Sequence, residues 1–424
     1  MEHIAAAALS PEQRQLRITP KVEQDILWTL QLEPSLQSLR QRLTDAAYHL
    51  NRLADLLQEL PEPFRLRDPQ PLLDLNRALR RITGNATLAA EFLMSEAELV
   101  RWIEEARGRN QSPTAALCVA PVEVGPALRE QVFDAMTSVI TCSATMTVNR
   151  GFEHYLSRVG MQPPPERVHT QTFASPFDYR QQALLGLPQD IPDPNDRMFE
   201  AVCARFITDA LHVSGGGAFV LCTSFALLRG LHRRCQAALG GRFRLLRQGE
   251  MSRSRLLNAF RADPDSVLFG TDSFWEGVSV KGNALRLVII PRLPFRVPTE
   301  PVQQARHELL EAQGKDPFKE YSLPQAVLRF RQGFGRLIRT RTDRGAVLVL
   351  DRRTTRRWYG RVFLRSLPDL ETVRAPGRVV LQRLAGLYHR PAPPAGPPPA
   401  DGAVRRRVPG SSSSDDLPSG DGSR

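Results

Sequence analysis

The sequence predicts an α/β protein built on a parallel sheet covered by helices on both faces and preceded by an all-helical region. Two observations carry this. Leu36, Leu39, Leu43, Ala46, Leu50, Leu53, Leu57 and Leu60 fall at alternating steps of three and four, which makes one long helix with a narrow apolar stripe. After Ser112, short β-branched runs alternate with helix-length amphipathic stretches, the pattern of strands buried between two helical layers.

The elements follow in order. Pro61 and Pro63 stop the first helix, since proline cannot continue one. A second helix around residues 71–83 packs back on it as an antiparallel hairpin, and a third, carrying Trp102, ends near Ala106. ALCVAPVEV and SVITCSATMT read as strands, the latter leaving the sheet through small polar residues. AFVLCTSFALLRGLHRRCQAAL gives strand, turn and helix; FRLLRQ a strand; MSRSRLLNAFRA a helix; SVLFGT and LRLVIIPRL strands; PQAVLRFRQGFGRLIR a helix over 324–339; and GAVLVLD a final strand. The glycine run SGGGAFV, residues 214–220, reads as a tight turn. From about Arg390 the chain is rich in proline and serine and is expected to be disordered, because it offers too little apolar surface to offset its ordering entropy.

At 424 residues the chain has room for about two or three domains. Its 42% hydrophobic and 24% charged residues are those of a soluble globular protein. It has neither a run of ~18 apolar residues nor a basic stretch leading into an apolar one, so a cytoplasmic protein with no membrane partner is expected. The cysteines Cys118, Cys142, Cys203, Cys222 and Cys235 include no CxxC pair and read as reduced core thiols, with no metal site and no iron–sulfur cluster ligands. A net charge of +12 favours a polyanionic partner, although a composition rich in arginine throughout would give the same value.

Two stretches carry chemistry. QGFGRLIRTRTDR, from Gln332, places Gln332, Gly335, Arg336 and Arg339 on one face if the helix continues through them. Guanidinium forks suit phosphate oxygens. Upstream, VLFGTDSFWEGVSVKG runs a strand into a loop holding Thr271, Asp272, Trp275, Glu276, Gly277 and Gly282, at the carboxyl end where such sheets bind ligands. Trp275 is either a stacking platform for a base or a core residue.

These stretches, together with TCSATMT, SPFDYRQQALLGLP, AFVLCTSFALLRGL and IIPRLPFRVPTEP, occur in the order found in DinG-type helicases of the XPD-like superfamily 2 group. The chain resembles the C-terminal half of that family over residues 112–368. The resemblance implies a RecA-like parallel-sheet motor domain at 151–389, an arch-like helical region at 1–111, remnant last strands of a first motor domain at 112–150, and a disordered tail at 390–424. It implies an ATP-dependent DNA helicase serving DNA repair, acting on single-stranded or fork DNA, with ATP and Mg held by the first motor domain. In this likeness Arg336 and Arg339, beside Gln332, reach the γ-phosphate. Asp272, Glu276 and Gly277 sense nucleotide; Ser143 and Thr145 form the SAT motif; and Thr223 and Ser224, with Thr271 and Trp275, touch nucleic acid.

The phosphate-cradling GxxxxGK[ST] loop of the family is missing from the 424 residues, as is the DEAH box, for which Met1, Glu2, His3 and Ile4 would be a frayed remnant. The expectation is therefore a motor half that needs a phosphate-loop domain absent from these residues, whether a separate chain supplies it, the start is wrongly set or the gene product is decayed, or else an ATPase-dead single-stranded nucleic-acid-binding or regulatory module. Strands of 112–150 without their sheet would expose apolar faces and unpaired edges.

Overall fold

The protein is described here by a computed structural model that covers residues 15–62, 64, 68–107, 113–162, 166–275, 284–296 and 299–389. Met1–Ile4 and the tail from Arg390 lie outside the described residues. The N-terminal part holds strand β1 (Gln15–Ile18), helices α1 (Glu33–Gln58) and α2 (Gln70–Leu93), and strands β2 (Leu99–Arg107) and β3 (Pro113–Pro121). The leucine seam forms α1 and the hairpin with α2 is present, α2 being longer than the spacing suggested.

The region to residue 111 is not all helical. The helix expected to end near Ala106 is strand β2, paired antiparallel with both β1 and β3. Its two faces are both covered, Ile103 packing with Trp28, Leu36 and Phe92, and Val100 and Trp102 packing with Ala305. Burial on both sides removes the period-two signal that marks a half-exposed strand. ALCVAPVEV does supply a strand, but β3 pairs with β2 across the expected boundary at residue 112. SVITCSATMT forms none. No strand lies alongside it among the described residues, and Ile140 stands 91% exposed.

The C-terminal part is a seven-stranded sheet, all parallel, in the order β10-β4-β9-β8-β5-β7-β6. Its elements are β4 (Ala183–Pro188), α3 (Phe199–Ser214), β5 (Ala218–Leu221), α4 (Phe225–Leu239), β6 (Leu245–Arg247), α5 (Arg253–Ala262), β7 (Val267–Gly270), β8 (Leu287–Ile290), α6 (Pro301–Ala312), α7 (Leu323–Phe334), β9 (Gly345–Val349), β10 (Glu371–Ala375) and α8 (Gly377–His389). This is the parallel sheet covered by helices on both faces that the alternation predicted.

Alternate residues divide the sheet between two cores. Phe219, Leu221, Val288, Ile290, Val347 and Val349 meet α5 and α7, while Ala218, Val220, Leu287, Ile289, Ala346 and Leu348 meet α3, α4 and α8. Gly186 in β4 sits where a Cβ would come 2.5 Å from Leu348 and 2.6 Å from Val380, so that the strand and α8 can close on each other. GAVLVLD is not the final strand, because β10 follows and adds to the edge beside β4. The sequence reading also missed β4 itself, although ALLGLP is a continuous apolar run like the other buried strands.

The glycine run is a turn, as expected. Gly215, Gly216 and Gly217 all have positive φ, and a Cβ on Gly216 would stand 2.0 Å from the carbonyl oxygen of Asp265.

The two parts meet at α6. Ala305 joins Val100 and Val122 in one apolar cluster, Arg306 donates to the carbonyl of Val122, and Arg17 makes paired 2.7 Å hydrogen bonds to Glu308. Arg306 is only 5% exposed, and its charge is also set 5.1 Å from the centre of the Tyr321 ring.

Candidate functional site

The site is organised by the end of α7. That helix does not run to Arg339: it ends at Phe334, and Gly335 caps it with its N–H donating 2.8 Å to the carbonyl of Arg331. Gln332 therefore lies on the helix while Arg336 and Arg339 lie beyond it, and the single helical face expected for the four residues is not formed. Two glycines within three residues weaken the last turn, and Arg336 turns inward. Its guanidinium is 8% exposed, with Nε donating 3.1 Å and Nη2 2.5 Å to the carbonyl oxygen of Trp275.

Trp275 is the second organiser and is core, not a stacking platform. Its side chain is 1% exposed, its Nε1 donates 3.4 Å to the carbonyl of Cys222, and its ring lies where a Cβ on Gly333 would be 2.9 Å away. One residue thus ties the end of β5, the turn after β7 and the end of α7. The contact to nucleic acid expected of Trp275 is corrected on this ground. Thr271 is likewise enclosed, at 6% exposed, its N–H donating 2.6 Å and its hydroxyl 3.0 Å to Oε1 of Gln248, whose Nε2 donates to Ser273. Asp272 begins the single helical turn Asp272–Trp275. Glu276, Gly277 and Gly282 lie outside the described residues.

Thr223 is half-buried and Ser224 exposed at the carboxyl end of β5. The Ser224 hydroxyl accepts the N–H of Leu227 at 3.2 Å and caps α4, so the residue aims the positive end of a 15-residue helix outward, an arrangement suited to an anion. Ser143 and Thr145 are linked to each other, Thr145 N–H donating 3.2 Å to the Ser143 hydroxyl.

Arg339 is positioned by a residue the sequence reading passed over. Asp343, 7% exposed, accepts the N–H groups of Arg339 and Thr340, both at 2.8 Å, and the Thr340 hydroxyl at 2.6 Å. Gln182, the residue before β4, closes the same loop, its Nε2 donating 2.9 Å to the carbonyls of Thr340 and Asp343. Asp343→Ala strips the acceptor from three donors and is expected to lower stability by about 2 kcal/mol, read by thermal melting. Asp343→Asn, keeping one carbonyl oxygen, should lose less. Equal melting of all three proteins would show that the loop holds its shape without this carboxylate. The sequence signal for Asp343 was its place two residues before a buried strand, as an aspartate among arginines.

Among the described residues no group of three or more histidine, cysteine or acidic side chains is placed to hold a metal ion, and no helix is long and apolar enough to cross a membrane. Cys203, Cys222 and Cys235 are buried core thiols and Cys118 is half-buried, whereas Cys142 is exposed, contrary to expectation, on the segment that forms no strand. Burial raises the thiol of Cys235 to about 11 and keeps it protonated.

Residues 207–370 match the family model of the helicase C-terminal domain. The chain is 38% identical over 264 residues to the ATP-dependent DNA helicase YoaA of Haemophilus influenzae, covering 62% of this chain and 40% of that protein. It is 30% identical over 355 residues to the ATP-dependent DNA helicase DinG of Photobacterium profundum, covering 81% of this chain and 51% of that one. The chain thus spans about half or less of the length of these relatives. A solved XPD helicase aligns over 88% of this chain and 67% of its own, with a TM-score of 0.45 and 13% sequence identity.

Proposed function

We propose that this chain, whose residues 207–370 match the helicase C-terminal domain and which is similar to the helicases YoaA and DinG, is the second motor half of an ATP-dependent DNA helicase, coupling ATP hydrolysis to travel along single-stranded DNA and opening of a duplex or fork. The observation that carries the reading is the joining of three loops at Trp275, whose carbonyl holds Arg336 and whose indole holds the strand end leading to Thr223 and Ser224. A change of nucleotide felt at the arginines then reaches the DNA-facing end of α4 through one buried side chain.

In this reading Arg336 and Arg339, with Gln332 beside them, reach the γ-phosphate of ATP held with Mg by a first motor domain. That domain brings the phosphate loop, of which the 424 residues contain no match. A separate chain could bring it. Asp272, Glu276 and Gly277 follow the nucleotide state, Ser143 and Thr145 couple it to strand separation, and Thr223 and Ser224 take a backbone phosphate.

The test starts with fluorescence anisotropy of a labelled oligothymidine and a forked duplex. For about six phosphate contacts, single-strand affinity is expected to fall roughly 300-fold between about 50 and 200 mM salt. ATP turnover is then measured after a first motor domain taken from a relative is added. Turnover stimulated by single-stranded DNA supports the motor reading. Salt-dependent binding without turnover points to the ATPase-dead binding module, and absence of both overturns the assignment to nucleic acid.

A further inference from the structure

Arg331 stands one residue before Gln332 on α7, where its carbonyl accepts the N–H of Gly335. Its half-buried guanidinium reaches back to the segment that follows Ser143. Nη1 donates to the Thr147 carbonyl and, at 3.1 Å, to the Thr147 hydroxyl; Nη2 donates 3.1 Å to the Ala144 carbonyl. One planar fork thus spans three acceptors on a four-residue stretch, which a lysine ammonium cannot reproduce.

The stretch has few other ties. Thr145 N–H bonds to Ser143, Val148 and Gly151 exchange two 3.0 Å backbone hydrogen bonds, and Ile140 and Cys142 are exposed. The helix that bears Arg331 is firmly seated, with Val327, Phe330 and Phe334 in the sheet core. The carbonyl of Arg331 itself holds Gly335, beside Arg336. We propose that Arg331 is a positioning residue that latches residues 143–147 onto α7, so that this segment and Arg336 move as one body. Burial, which draws the Arg331 pKa down from its ordinary value, accords with a guanidinium enclosed between the two surfaces.

The latch rests on geometry alone; its consequence for turnover rests on the motor reading. Hydrogen exchange read by mass spectrometry on the full chain tests the first. In Arg331→Ala the amides of Thr145, Val148 and Gly151 should exchange roughly tenfold faster or more, the effect of losing at least one net hydrogen bond, with amides of β8 and β9 unchanged. Arg331→Lys should fall between, and Thr147→Val should raise exchange modestly from the other side of the contact. Unchanged exchange at those three amides in folded Arg331→Ala overturns the latch. If that variant fails to fold, Arg331→Lys and Thr147→Val decide in the same way.

With a first motor domain supplied, Arg331→Ala should lower kcat for ATP while leaving KM unchanged, and Arg331→Lys should restore part of it. Faster exchange in the variants without turnover in the wild-type assembly leaves the latch standing and sinks the motor reading. Wild-type turnover with exchange unaffected by Arg331→Ala does the reverse.

Discussion

Trp275→Ala destabilises the parallel-sheet domain by about 3–5 kcal/mol, the cost of emptying a fully enclosed aromatic site. The side chain is 1% exposed and belongs to the core cluster of β5, β8 and α7. Gly333, held open for the indole, would face a void that no neighbour can fill without moving α7. At this size of domain the loss corresponds to roughly 6–20 °C in Tm. Single-stranded DNA affinity, corrected to the folded fraction, should not change. Trp275→Phe keeps most of the volume and loses the Nε1 donor to Cys222, so a smaller loss of about 1 kcal/mol is expected. A variant that melts like the wild type but binds DNA less well would place the indole at the surface, against nucleic acid.

Arg336→Ala should cut ATP turnover by ~10³–10⁵ once a first motor domain is present, the range set by removing an arginine that reaches a transferring phosphoryl group. DNA binding should stay nearly intact, because Arg336 is 8% exposed and its guanidinium is turned inward to the Trp275 carbonyl. The substitution also leaves the Trp275 carbonyl without the two guanidinium donors, a loss of about 1–3 kcal/mol, so the melting curve must be measured beside the rate. Arg336→Lys separates the roles, since an ammonium can keep a bond to that carbonyl but not present a fork. Turnover that survives in Arg336→Ala would make the residue a brace for Trp275 and end the catalytic reading.

Much of this architecture was legible in the residues, and the failures have physical causes. Strands β5, β7, β8 and β9 are short apolar runs bounded by turns, and each was located because burial on both faces leaves only one composition that works. The same two-sided burial disguised β2, which was read as a helix ending near Ala106 but pairs along its length with β3. Arg101 is tolerated in that strand because it donates to the Phe92 carbonyl at 3.0 Å and to Glu23 at 2.5 Å, contacts that no local pattern reveals.

The site followed the same rule. Gln332, Arg336 and Arg339 were found from their spacing, but the spacing assumed a helix that ends one residue before Gly335. Gln248, Gln182 and Arg331 were missed because each acts on a segment between 23 and 187 residues away. Such roles belong to the folded chain and have no signature in neighbouring letters.

The contact at α6 has a mechanical consequence. The base of the helical hairpin, at Leu32, Leu36 and Phe92, is clamped to the three-stranded sheet, and that sheet is fixed to α6 by Ala305, Arg306 and Glu308. From this base α1 projects for 26 residues, about 39 Å at 1.5 Å per residue. The hairpin is therefore a cantilever mounted on the parallel-sheet domain. A tilt of α6 by about 10° would sweep its far end, where Leu53 and Leu56 are exposed, through about 7 Å, roughly the rise of five helical residues.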